Sequence, residues 1–170
     1  MNADHRIKSE TVYMISASMV AIIALIVSVW QGYETRRHNR LSVKPFLTFT
    51  KNFNPSNTDD PNVPSYQLTI KNSGTGPAII KSFTLSYQNK VIEKSTDFNL
   101  WQSVLNQAAE KDLKIYQAAS YDSGDVIEIG LSKSIIKINY SEPFLRKVKL
   151  RIVYQSIYEE EFEIETNLMN

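Results

Sequence analysis

A chain of 170 residues has room for one domain beyond a membrane anchor, and the absence of cysteine excludes disulfides and thiolate chemistry. Its 19 basic and 18 acidic side chains hide an asymmetry: residues 1–44 carry six Lys/Arg against three Asp/Glu, net +3, and the remainder carries 13 against 15, net −2. Residues 45–170 therefore have no basic field for a nucleic-acid polymer, and none is expected as a partner.

Residues 1–11 form a polar tail. From Val12 to Trp30 the chain has nineteen residues without charge, Pro or Gly. At 1.5 Å per residue this run spans about 28 Å, close to the hydrocarbon thickness of a bilayer. Tyr13 at one end, with Trp30 and Tyr33 at the other, suits the aromatic belts of a transmembrane helix. The run is too long for a cleaved signal peptide, and no small-x-small cleavage pattern follows it. Arg6 and Lys8 precede the span, whereas Arg36, Arg37, Arg40 and Lys44 follow it. The excess predicts an N-terminus outside and a cytoplasmic domain. Met14, Ala17, Ala21, Ala24, Ser28 and Gln31 recur at spacings of three and four, with small residues at the centre. Such a seam lets helices approach closely in lipid, so self-association through Ala17, Ala21, Ala24 and Ser28 is expected. Within the basic linker 31–44, the polar stretch 34–44 can prolong the helix by two or three turns before Pro45, and Arg36, Arg37 and Arg40 are placed to meet lipid headgroups.

Residues 45–170 read as mainly β. Pro45 opens an extended run over Phe46–Thr50, and an exposed loop follows over residues 52–65. Alternation puts Tyr66, Leu68 and Ile70 on one face of a strand, and Phe83, Leu85 and Tyr87 on one face of the strand Ala78–Tyr87. Asn89-Lys90 turns the chain into Val91-Ile92-Glu93. The period then changes: Leu100/Trp101, Val104/Leu105, Ala108/Ala109 and Leu113 fall on one stripe, predicting a helical insertion over about 97–113, capped by Ser95, Thr96 or Asp97. Further strands are expected at Lys114–Ala118, Val126–Leu131 and Ile135–Tyr140. A final hairpin of Lys147–Tyr154 with Glu160–Thr166 is expected to pair 151 with 163 and 149 with 165, around a Ser156-Ile157-Tyr158 loop. The expected architecture is a transmembrane helix followed by a β-sandwich with one helical insertion.

The chemistry is mostly exclusion. The two histidines, His5 and His38, flank the apolar run, so residues 45–170 hold no Ser-His-Asp or Cys-His apparatus and no ordinary zinc site. No catalytic, cofactor or metal residues are assigned, and an enzyme is not expected. Asp122-Ser123-Gly124-Asp125 lacks the alternating acidic ligands of a calcium loop and reads as a tight turn. Asp59, Asp60 and Glu159–Glu161 read as solvated charge. Asn72-Ser73-Gly74-Thr75-Gly76-Pro77 lacks the Lys-Ser/Thr of a P-loop and precedes a strand, which makes it an inter-strand connection with unusual dihedrals at Gly74 and Gly76. Asn72, Gly74 and Gly76 remain candidates for a loop whose amides meet an anionic ligand. Trp101 is expected to pack against the sandwich.

The stretch Gln31–Pro45, directly after an apolar helix, resembles a widespread, uncharacterised set of small bacterial single-pass membrane proteins, and Leu68–Ile80 resembles the strand-loop-strand signature of the same set. The second stretch is also similar to the N-x-G-x-G/P loop of immunoglobulin-like bacterial adhesion modules. The resemblance implies an immunoglobulin-like sandwich and a bacterial inner membrane, and it carries no catalytic residues. These readings predict a membrane-tethered, non-enzymatic module that binds an unknown protein or small ligand at the cytoplasmic face. The second reading is an oligomeric ligand-gated membrane effector, of the kind found in bacterial antiviral defence.

Overall fold

A computed structural model describes residues 3–55, 63–92, 97–108, 113–140 and 142–169. Asp59, Asp60, the cap candidates Ser95 and Thr96, Glu93 at the expected strand end and residues 109–112 of the expected helix lie outside the described residues. The chain divides into two units, Met1–Ser42 and Val43–Asn170.

The first unit is one helix, α1 (Ala3–Ser42). Val12 to Trp30 offers no polar face along which it could be a surface helix, and its large apolar side chains are exposed throughout. It is long and apolar enough to cross a membrane. The helix continues without a break through Arg36, Arg37 and Arg40, so most of the expected linker is helical.

The second unit is mainly β and consists of two antiparallel sheets. One has the order β1-β2-β7-β5, built from Leu47–Asn54, Ser65–Asn72, Ser132–Asn139 and Ile115–Ala118. The other has the order β4-β3-β8-β9, built from Lys90–Ile92, Ala78–Tyr87, Val148–Gln155 and Glu161–Asn167, with β6 (Val126–Ile127) also pairing with β3. Their inner faces share one core, in which Leu68, Ile70 and Ile138 of the first sheet and Leu85, Leu150 and Ile152 of the second are fully buried. Between β4 and β5 runs α2 (Asp97–Ala108), which packs on β3, β4 and β5 and so bridges the two sheets along one side. Leu100, Trp101, Val104 and Leu105 form its buried stripe. On the other side β1 lies against β9.

Two bulges reconcile the strand patterns with burial. In β3 the buried set changes from Ala78 and Ile80 to Phe83, Leu85 and Tyr87, a change of parity. The pairing with β8 slips between Ile80 and Ser82, so the extra residue Lys81 restores an inward-facing set. In β7 a slip opposite Leu68/Thr69 lets the adjacent Ile135 and Ile136 both be buried.

Several expectations are corrected, and of the strand expected over Val126–Leu131 only Val126–Ile127 forms. The terminal hairpin pairs Arg151 with Glu165 and Val153 with Glu163, two residues from the predicted register. A shift of two keeps every side chain on its face, which is why the buried set Val148, Leu150, Ile152 and Tyr154 was predicted correctly. The loop is Ile157-Tyr158-Glu159, with Glu159 at φ 62° and the buried Ser156 Oγ accepting from the amides of Tyr158 and Glu160. The predicted charge pairs form along the diagonal instead: Arg151 to Glu163 at 2.7 Å and Lys149 to Glu165 at 2.5 Å. The β3–β4 turn is centred on Gln88 and Asn89, at φ 49° and 66°, one residue earlier than expected. Finally, Glu142–Lys147 forms a short helix, α3, absent from the sequence reading. Pro143 occupies its first turn, Arg146 pairs with Glu142 at 2.8 Å, and Phe144 and Leu145 are buried against the core.

Candidate functional site

Every residue from Val43 to Leu47 is held by the β unit. Asn72, fully buried, donates from Nδ2 to the carbonyls of Gly76 and Ile127 at 2.8 and 3.0 Å, and its Oδ1 accepts from the amides of Gly74 and Phe46. The amides of Ser73 and Thr75 donate to the carbonyls of Phe46 and Lys44. Lys44 lies over the ring of Phe162, 5.2 Å from its centroid. Pro45 is buried, and Leu47 donates its amide to the Tyr154 hydroxyl. Burial raises the Tyr154 pKa, and that amide partly offsets the rise.

This accounts for the glycine-rich loop. The amides of Ser73, Gly74 and Thr75, which an anion would need, are engaged by Phe46, Asn72 and Lys44, so the loop is a clamp on Val43–Phe46. The expected unusual dihedrals belong elsewhere, since the glycines with positive φ are Gly124 and Gly130. Gly74 and Gly76 are required for close approach: a Cβ at Gly74 would meet Phe46 N at 2.3 Å, and one at Gly76 would meet Val43 O at 1.8 Å. Val43 and Lys44 accordingly belong to the domain, two residues before the expected start at 45. Gly124 sits in the Asp122–Asp125 turn, closed by Asp122 N–H to Asp125 Oδ2 at 2.7 Å, as the sequence reading expected.

At the other end of β1 the domain has a cavity of about 310 Å³. Alternation puts Lys51 and Phe53 on one face of β1, and the register sets Phe53 opposite Tyr66. Tyr140, two residues beyond Ile138 on β7, meets the Phe53 ring edge-on at 4.8 Å and 73°. Leu168 and Met169, after β9, complete the wall. The Tyr66 hydroxyl donates to the Leu168 carbonyl, and the Tyr140 hydroxyl lies 3.6 Å from Met169 Sδ. Burial raises the pKa of Tyr66 well above its ordinary value and lowers that of Lys51. None of these residues was assigned a binding role from sequence, and Tyr66 was read only as part of a strand's apolar face. Phe53 fell in a predicted loop, and the lining comes from segments tens of residues apart, which no local pattern links.

The other expected sites lie on α1. At 100° per residue Ala17, Ala21, Ala24 and Ser28 fall within an arc of about 60°, and Arg36, Arg37 and Arg40 within about 100°. Ser28 Oγ donates to the Ala24 carbonyl at 2.8 Å, so this stripe presents small size and not a free hydroxyl donor. Arg37 approaches Glu34 at 3.9 Å. Among the described residues no group of three His, Cys, Asp or Glu is placed to hold a metal ion.

Fold and site together define a class: an apolar N-terminal helix joined, through a residue already clamped into the fold, to a two-sheet β domain. Residues 12–170 match the family described as Domain of unknown function (DUF8453), and the chain belongs to it. The match begins at the first residue of the apolar run, so the helix is part of what the family shares. No curated protein matches the chain.

Proposed function

We propose that the chain is a non-enzymatic, membrane-tethered binding module, with α1 in a bacterial inner membrane and an immunoglobulin-like β domain at the cytoplasmic face. The observation that carries the binding role is the aromatic cavity, a concave and mostly apolar site of the size small ligands occupy. The immunoglobulin-like assignment is supported by strand order. Taking β1, β2, β3, β4, β5, β7, β8 and β9 as A, B, C, C′, D, E, F and G, the sheets run A-B-E-D and C′-C-F-G. The orientation rests on the Lys/Arg excess after the span. Trp30 lies about 9 Å along the helix from Arg36 and about 15 Å from Arg40, within reach of anionic headgroups for side chains that snorkel. Single cysteines at Asn2 and at the exposed Glu128 test it. In intact cells an impermeant maleimide should label only Asn2→Cys; labelling of Glu128→Cys from outside would overturn the cytoplasmic placement.

The small-residue arc on α1 favours a second reading, an oligomeric effector gated by what the domain binds. Ala21→Leu with Ala24→Leu should lower crosslinking yield in membranes by forcing the backbones apart. Ile22→Leu with Ile26→Leu should leave the yield unchanged, because one apolar chain replaces another against acyl tails. Equal yields from both double variants would remove the seam and this reading with it.

A further inference from the structure

The large apolar side chains left in water are not spread evenly over the β unit. Among its described residues seven are exposed, and five of these, Phe46, Val126, Ile129, Ile157 and Tyr158, lie at one end of the two sheets. Strand pairing places them there. Phe46 O accepts from Ser73 N just beyond β2, and Gly130 N, next to Ile129, donates to Asn72 O. Val126 pairs with Ile79 at the start of β3, and Ile79 pairs in turn with Gln155 at the end of β8. Ile157 and Tyr158 stand in the turn that follows, between β8 and β9. The other two, Phe53 and Val91, lie toward the opposite end, most of an eight-residue strand or about 25 Å away.

The crowded end is also where the chain enters. Val43 and Lys44 are held there, beside Gly76 and Thr75. Tyr33, the last aromatic of the interfacial belt, is ten positions before Val43, about 15 Å along a helix. With α1 across a bilayer, the five side chains are kept near its surface by the length of the chain, and the opposite end is not.

Their chemistry suits that surface. Isoleucine, valine and phenylalanine gain by leaving water for the acyl boundary, and Tyr158 joins an apolar ring to a polar tip, as interfacial aromatics do. Glu128 and Glu159 stand exposed in the same turns, so an anionic surface would repel this end and the attraction is one of apolar area. Clustered apolar side chains in water mark a surface that meets a partner, and the partner that chain connection brings to this end is lipid.

We propose that this end of the β unit is a membrane-docking surface, in which Phe46 and the turns at 128–130 and 156–159 seat in the headgroup–acyl boundary of the bilayer that α1 crosses. The proposal goes beyond the binding-module reading and holds for either orientation of the chain. Docking there leaves the aromatic cavity, at the far end of β1, open to the aqueous phase.

Because the chain has no cysteine, each one introduced is unique. Ile129→Cys, Ile157→Cys and Val91→Cys are labelled singly with a nitroxide in the full chain, in phosphatidylcholine vesicles. Collisions with oxygen, which concentrates in lipid, are compared with collisions with a water-soluble nickel chelate. The oxygen-to-nickel ratio should be severalfold higher at 129 and 157 than at 91. Adding Ile157→Ser and Tyr158→Ser to the Ile129→Cys chain should return 129 toward the value at 91. An unchanged ratio there would mean proximity imposed by the tether alone, and would overturn apolar docking. A water-like ratio at both 129 and 157 overturns the docking surface, whether or not anionic lipid raises it. Low accessibility to both reagents is burial against protein and overturns lipid as the occupant. Val27→Cys, within the apolar run, reports insertion of α1, so loss of docking with position 27 still in lipid is distinct from failure of the tethered reading.

Discussion

Replacing Gly76 with alanine should destabilise the β domain by about 3 kcal/mol or more, at the upper end of what overpacking costs. The added methyl would lie 1.8 Å from Val43 O, 2.3 Å from Val43 C and 2.9 Å from Val43 Cα. All three are backbone atoms, so no side-chain rotation relieves the clash. Either the Asn72–Pro77 loop or the Val43–Phe46 segment must leave its place. With it go the bonds from Ser73 N to Phe46 O and Thr75 N to Lys44 O, and the seating of Phe46 N on Asn72 Oδ1. Gly124→Ala is the comparison. It has φ +96° and nothing within 4 Å, so it brings backbone strain of about 1–3 kcal/mol without a clash. Urea denaturation of the full chain in detergent, followed by Trp101 fluorescence in a Trp30→Phe background, measures both. Hydrogen exchange should show lost protection at Ser73 and Thr75 in Gly76→Ala and retained protection in Gly124→Ala. A Gly76→Ala loss below about 1 kcal/mol would mean that Val43–Phe46 does not follow this path beside the loop.

Trp101→Ala should cost about 3–5 kcal/mol, the range for deleting a large buried aromatic. Trp101 has no exposed surface, and its Nε1 donates to the Ala119 carbonyl at 2.9 Å. Truncation loses the apolar transfer energy, leaves a cavity beneath α2 and orphans the Ala119 carbonyl. Trp101→Phe separates these effects. It keeps most of the packing but not the donor, and should cost about 1–3 kcal/mol. The consequence is topological as well as energetic, because α2 bridges β3 and β4 of one sheet and β5 of the other. Protease nicking near Ile115–Ala118 should therefore rise in Trp101→Ala and stay near wild type in Val91→Ala, whose side chain is exposed. Equal losses for Trp101→Ala and Trp101→Phe would assign the whole effect to the hydrogen bond and overturn the packing account.

The terminal hairpin separates what sequence can say from what it cannot. Alternation assigned Val148, Leu150, Ile152 and Tyr154 inward and Glu161, Glu163 and Glu165 outward, as observed. Opposite charges also identified Arg151–Glu163 and Lys149–Glu165 as partners. They did not identify the register, because long side chains reach a diagonal neighbour as well as a direct one. Ser156 decided it: by folding inward and accepting two loop amides, it moved the turn one residue toward the C-terminus and the pairing by two. The short α3 was missed for a related reason. Six residues are too few to show a helical period, and Phe144-Leu145 reads equally well as the start of a strand.

By itself the sequence determined the apolar span, the β character of the remainder, the insertion helix and the identity of most core residues. Each of these is written in a local period of hydrophobicity, and burial follows period because water is excluded from one face at a time. Only the tertiary structure decided that the glycine-rich loop is a clamp on residues 43–46, since Gly76 and Val43 are 33 positions apart and their need for contact leaves no trace in the pattern of either segment. The cavity is the stronger case. Lys51 and Phe53 from the end of β1, Tyr66 from β2, Tyr140 beyond β7 and Met169 near the C-terminus each look like an ordinary strand-end residue, and periodicity records that a face is covered but not by what. The pairing of β1 with β2, and of β2 with β7, brings those strand ends to one place, and the space left between their rings is a property of the assembled sheets alone.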